Sequence, residues 1–164
     1  MVAYGKGALV FCVAVAVFPL SASFGATWLD LDWRDRYELT MNNSASAENL
    51  GNFPVMVHLN AANFDFGRAQ PQGQDVRFTD SDGTTLLSYE IEKWDAPNQQ
   101  AWLWVNVPQV DAGSTDDNIY LYSQNPTAAD GQDTTGTWNG DYHMVHHLQE
   151  TSGTHFDSTS YAND

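Results

Sequence analysis

Three shortages in this sequence each exclude something. It holds a single cysteine, Cys12, so no disulfide can staple the chain and its fold must be held by burial. Six Lys and Arg face 21 Asp and Glu, for a net charge of −15, and beyond Lys6 the only lysine is Lys93. Such a surface repels phosphate backbones and anionic lipid, which excludes nucleic acid as the expected partner. Membrane contact is expected only through the N-terminal segment or through regions downstream of Asp164. Finally, no stretch beyond the N-terminal run sustains the 3.6-residue period of an amphipathic helix. There is also no Gly-x-Ser-x-Gly elbow, no phosphate loop and, past Cys12, no thiol nucleophile.

The N-terminus reads as an export signal. Lys6 gives a short positive region, Ala8 to Leu20 is an apolar run broken only by Pro19, and Ser21, Ala22, Ser23, Gly25 and Ala26 follow. The small residues allow cleavage after Ser23 or Gly25. The run is short for a membrane span, which needs about 20 residues, and retention as an anchor is the alternative to cleavage. Phe11 before Cys12 does not suit a lipoprotein signal. The chain is therefore expected to be exported to the periplasm, cell surface or exterior, with residues 1–25 as signal peptide.

The rest is aromatic and alternating. Tyr37, Leu39 and Met41 share one face of a strand, and Phe53, Val55, Val57 and Leu59 share one face of the next. Val76 and Phe78 mark a third. Asp80-Ser81-Asp82-Gly83 is a hairpin turn, since Asp-Gly supplies the positive φ a tight turn needs. A strand from Thr84 to about Trp94 then puts Leu87, Tyr89 and Ile91 on one face. Ala101 to Val107 sets Leu103, Val105 and Val107 against Trp102 and Trp104, and Asn118 to Tyr122 sets Ile119 and Leu121 against Tyr120 and Tyr122. Six short strands separated by turns predict an all-β fold, an antiparallel, jelly-roll-like β-sandwich over 26–125. Residues 126–140 read as a polar linker. Residues 141–164, strand-like then polar, read as the incomplete start of a second β-sandwich.

Several groups could carry chemistry. Asp80 and Asp82 are the calcium candidates, and no other cofactor is expected. An EF-hand would need a Glu twelve places along, where Ile91 stands, so a plain turn is the simpler reading. Glu90 and Glu92 share a strand face and could act as the carboxylate pair of a glycosidase, or simply form an outward polar face beside Lys93. His143, His146, His147 and His155 with Glu150 form a histidine-rich patch, though zinc would need three converging ligands. Trp94, Trp102, Trp104, Tyr120 and Tyr122 could stack on sugar rings through their π faces, or fill the core. Of these, Trp102, Trp104 and Tyr122 are the expected carbohydrate contacts.

Trp33-Arg34, Arg36-Tyr37, Asn52 to Val55, Asn63 to Phe66, Asp75 to Gly83, Tyr89 to Glu92 and Ile119 to Tyr122 together resemble a secreted bacterial and archaeal domain of unknown function, numbered twenty-three forty-one, across roughly residues 33–125. His146-His147-Leu148-Gln149-Glu150, Ser152-Gly153 and Asp157-Ser158-Thr159 resemble the opening of a concanavalin A-like or laminin-G-like domain, which often follows in that family. His146 departs from the relatives, which usually carry Trp there. The resemblance implies an exported β-sandwich with no assigned catalysis, sometimes attached to proteins similar to TolQ/ExbB proton-channel components. Three expectations follow. The first is a non-catalytic module that binds an extracellular polysaccharide or another cell-surface partner. The second is a scaffold or sensor segment of a TolQ/ExbB-type envelope machine. The third is an accessory part of a glycoside-cleaving enzyme.

Overall fold

A computed structural model describes residues 28–164 and the backbone of two short N-terminal strands, β1 (Val2–Gly5) and β2 (Ala16–Pro19). Apart from those two strands, the expected signal segment and its cleavage sites lie outside the described residues.

The alternating runs fold as alternation requires. They form β3 (Asp35–Met41), β4 (Leu50–Asn60), β5 (Arg77–Thr79), β6 (Leu86–Leu87), β7 (Tyr89–Asp95), β8 (Gln100–Val110) and β9 (Asp117–Ser123). A one-turn helix α1 (Thr134–Thr137) and β10 (Tyr142–His146) follow. Every pairing among these strands is antiparallel. One sheet has the order β2-β3-β9-β5-β6, a second β4-β8-β7, and β1 pairs with β10. The two larger sheets pack face to face as an open all-β sandwich. Between them lie Leu39, Met41, Val57, Leu59, Val76, Phe78, Leu103, Val105 and Leu121, all essentially without exposed surface.

Two departures from simple alternation shape the molecule. The run expected as one strand from Thr84 to Trp94 changes sheets at Ser88. Leu87 pairs with Phe78 in the larger sheet, whereas Tyr89 pairs with Val105 in the smaller one. The Ser88 carbonyl accepts from Asn106 N at 3.0 Å and its hydroxyl donates to Asp133 at 2.8 Å, which ties the crossing residue to both neighbours. The second departure is a bulge between Ile91 and Lys93. Two residues then oppose one, which flips the following alternation. Trp94 therefore turns into the core against Phe64 and Phe66, at ring separations of 5.8 and 5.2 Å. Gly73, at φ +73°, makes room for it, since a Cβ there would lie 2.7 Å from the Trp94 ring.

The Asp80–Gly83 turn forms as expected, with Gly83 at φ 77°. Asp75, fully buried, joins distant loops: its carboxylate accepts from the backbone N of Gln70, Gln124 and Asn125 at 2.8, 2.9 and 3.2 Å. Residues 126–140 contain α1, capped by the Asp133 side chain, and include the buried Trp138. Residues 141–164, where a second sandwich is expected to open, contribute β10 and turns. Their Tyr142 and Val145 pack with Trp138, Trp104 and Met56 on the outer face of β4-β8-β7.

Candidate functional site

The outer face of the three-stranded sheet gathers most of the residues singled out above. Alternation sends Pro54, Met56 and His58 of β4, and Gln100, Trp102, Trp104 and Asn106 of β8, to this side, opposite the core-facing Val55, Val57, Leu103 and Val105. On β7 the bulge lets Glu90, Glu92 and Lys93 accompany them. One half of the face is covered and the other is open.

The covered half is a clasp of carboxylates and indoles. Glu90 is buried, and its Oε2 accepts from Trp138 Nε1 at 2.8 Å. Its Oε1 accepts from the Ser158 hydroxyl at 2.7 Å. Glu92 Oε2 accepts from Trp104 Nε1 at 2.7 Å, and its backbone carbonyl accepts from the Gln149 amide. His147 sits between the two acids, with Nε2 at 3.1 Å from Glu90 and Nδ1 at 3.6 Å from Glu92. These contacts are ion-paired in distance without the alignment of hydrogen bonds. Burial opposes the imidazolium, but the two carboxylates outweigh it and push the His147 pKa up to about 9. His147, ahead of the Trp104 indole, holds Glu92 below its usual range despite burial. Glu90 thus acts as acceptor for the segment that covers it, with both oxygens engaged, whereas Glu92 accepts from Trp104 of the sheet and meets the cover through its carbonyl and His147.

On the open half, Trp102 lies between its cross-strand neighbours. The His58 ring stacks on it at 5.0 Å and 15°, and Lys93 Nζ lies 5.5 Å from the ring centroid. His58 Nε2 is 2.6 Å from the Gln100 amide oxygen. Trp102 and His58 are half-buried, and the Lys93 side chain is 54% exposed.

At the same end of the sandwich, past the last residue of β4, a cleft of about 470 Å³ opens. Its lining includes Asp35, Tyr37, Asn63, Asp65, Arg68 and Gln99. Asp35 Oδ1 pairs with Arg68 at 2.8 Å, while Oδ2 has no hydrogen-bond partner among the described residues. Burial raises the Asp35 pKa, with Arg68 acting against it.

The three expected carbohydrate contacts do not converge. Tyr122 belongs to the other sheet and has no exposed surface; its hydroxyl donates to Gly83 O at 2.9 Å and Trp28 packs edge-on against its ring. Trp104 lies beneath Trp138, at 5% exposure and a 5.2 Å ring separation. Neither presents a face to a ligand, so of the three only Trp102 is placed for contact. Tyr120 packs against the Arg36 guanidinium at 4.4 Å.

Asp82 is consumed by its turn. It accepts from Thr84 N, Thr85 N and the Thr85 hydroxyl, and these bonds, led by the hydroxyl, bring its pKa down to about 2. Asp80 accepts from Ser81 N. The histidines diverge: His143 packs on Tyr161, His146 contacts Asn163 O, and His155 pairs with Glu150 at 3.1 Å. Among the described residues, no three His, Cys, Asp or Glu side chains form a metal-holding group.

Sequence reasoning missed the clasp and the cleft. The shared face of Glu90 and Glu92 was readable, but nothing local marks Trp138, His147 and Ser158 as its partners across 48 to 68 residues. The Asp35–Arg68 pair spans 33 residues and carries no spacing signal either.

Residues 72–163 match the family described as Domain of unknown function (DUF2341). The chain belongs to that family. The match starts later than the resemblance over 33–125 and runs on through α1, β10 and the turns beyond, so every member of the clasp lies within the family region. No curated protein and no solved structure matches the chain. Family membership carries no activity with it, so function must be argued from the sites.

Proposed function

We propose that this chain is an exported, non-catalytic β-sandwich module that binds an extracellular polysaccharide or another cell-surface partner through the open half of its outer face. The observation that carries this reading is the position of Trp102. It is the one of the three expected contacts that is not buried, and it is ringed by the polar groups of His58, Gln100 and Lys93. An indole flanked by hydrogen-bonding groups suits a ligand with apolar C–H faces and polar rims. Lys93 reaches the Trp102 ring from the strand opposite that of His58. An exposed cation–π contact is worth only about 0.5–1 kcal/mol, so a ligand can displace the ammonium cheaply. Export is supported by Lys6, the apolar run and the small residues that follow it. The acidic surface favours neutral partners over polyanions.

The test is a binding assay on insoluble and soluble polysaccharides with the purified chain and Trp102→Ala. Loss of binding in a variant with unchanged thermal midpoint supports the reading, and retention of every interaction removes it. Amino-terminal sequencing of the protein recovered from the periplasm or medium tests export. An intact Met1 on protein confined to the cytoplasm would refute it.

A further inference from the structure

We infer that the cleft formed by Asp35, Arg68 and Gln99 is a second subsite for the same ligand, and that this ligand is a neutral oligosaccharide chain long enough to occupy both the cleft and the Trp102 surface. The inference rests on the proposed Trp102 contact and adds a second place, a chain length and a charge class.

The two places share a rim. Gln99 lines the cleft, and the next residue, Gln100, holds His58, which stacks on Trp102. Asn63 in the cleft wall donates to the His58 carbonyl at 3.2 Å. Gln99 adopts a left-handed conformation at φ 52°, which turns the chain from one surface to the other. Gln99 and Gln100, neighbours in the chain, thus belong one to each surface, and a linear ligand crossing this rim would meet both.

The cleft's chemistry suits hydroxyl groups. At about 470 Å³ it falls within the range of small-molecule sites. It offers carboxylate acceptors at Asp35 and Asp65, guanidinium donors at Arg68 and mixed amides at Asn63 and Gln99. Sugar hydroxyls both donate and accept, and so can use each of these. The Asp35–Arg68 pair cancels its own charge, which favours a neutral ligand over an ion. Asp35 Oδ2 is an acceptor with nothing to accept from among the described residues, and buried polar groups left unmet are uncommon. The Arg68 side chain is 48% exposed and also donates to the Gln124 amide oxygen, so its guanidinium stands at the surface of the cleft. A net charge of −15 repels uronic-acid or sulfated chains.

Calorimetric titration of the full chain with three neutral ladders tests this: cellobiose to cellohexaose, maltose to maltohexaose, and the N-acetylated chito-oligosaccharides from two to six units. One ladder is expected to bind with Kd falling about tenfold or more from the shortest to the longest member. In Arg68→Ala and Asp35→Asn the longer members lose that gain. Because Asp35 begins a paired strand, thermal midpoints are compared first. Gln99→Ala, at an exposed rim position, gives an independent reading of the same loss. Trp102→Ala weakens every length. If the length dependence survives in all three cleft variants, the second subsite falls while the Trp102 reading stands. If Trp102→Ala changes nothing, that reading falls. If none of the three ladders binds, both are overturned.

Discussion

Each outer face of the sandwich carries a cover, on the smaller sheet over only half of it, and the two covers use opposite chemistry. On the larger sheet, cations lie between aromatic rings. The Arg36 guanidinium sits 4.6 Å from the Trp28 ring and 4.4 Å from Tyr120, and Arg77 lies 5.4 Å from Trp33. On the smaller sheet, anions hold indole N–H groups, Glu90 with Trp138 and Glu92 with Trp104, and an imidazolium sits between the acids. In each case a segment remote in sequence is tied down, the lead-in 28–33 on one side and residues 138–159 on the other. The contrast shows how a chain with few cations spends them. Arginine is weakly hydrated and planar, so it can be buried on ring faces. Carboxylates are plentiful here and only accept, so they are matched to indoles, which only donate. The first cover is indifferent to pH near neutrality, and the second depends on a histidine.

The largest expected effect breaks the clasp. Glu90→Ala leaves Trp138 Nε1 and the Ser158 hydroxyl without their acceptor and His147 with Glu92 as its only carboxylate partner in the clasp. Removing one partner of a buried charged pair costs about 3–5 kcal/mol. Thermal unfolding should show a lowered midpoint, and amide exchange should quicken first in residues 138–159. An unchanged exchange pattern there would mean that the clasp does not hold the segment. Next comes pH. The folded His147 pKa, near 9, lies above its ordinary 6.5. Its contribution is therefore complete below about 6.5 and is lost as pH rises through 9. The lowered Glu92 pKa works from the other side: its contribution is present above the ordinary 4.5 and is lost as pH falls. Stability from this cluster should therefore peak between about pH 4.5 and 6.5. His147→Gln should flatten the alkaline limb, and a limb that survives the substitution would assign it to other groups.

Local pattern reveals one face of each strand and conceals what covers the other. The alternation in Tyr37–Met41, Phe53–Leu59, Ala101–Val107 and Asn118–Tyr122 was enough to predict the sandwich and its core faces, because a strand's period of two is a local property. The Asp80–Gly83 turn was legible for the same reason. The sheet change at Ser88 and the bulge at Glu92 were not, since both depend on tertiary pairing. Burial of Trp104 and Tyr122 was equally hidden: alternation places them outward, and only the distant segments that reach over them make outward mean covered. Trp102 escapes because the cover on its sheet ends before it.

Smaller effects sharpen the comparison from the other face. Arg36→Lys keeps the charge and loses the planar contact with Trp28 and Tyr120, at a cost of about 1–2 kcal/mol. That loss should be constant from pH 5 to 9, unlike anything done to the clasp, and a pH-dependent loss would show that the two covers communicate. The smallest change is expected from Lys93→Ala, which removes the exposed ammonium from Trp102 and its 3.8 Å pairing with Asp95. Stability should move by no more than about 0.5 kcal/mol, because the side chain is largely in solvent and surface pairs contribute little. Indole fluorescence should nevertheless become more accessible to a neutral quencher, since the ammonium no longer lies against the Trp102 ring. Unaltered quenching would mean that Lys93 does not shield the ring in solution, and that a ligand approaching the open half meets bare indole from the start.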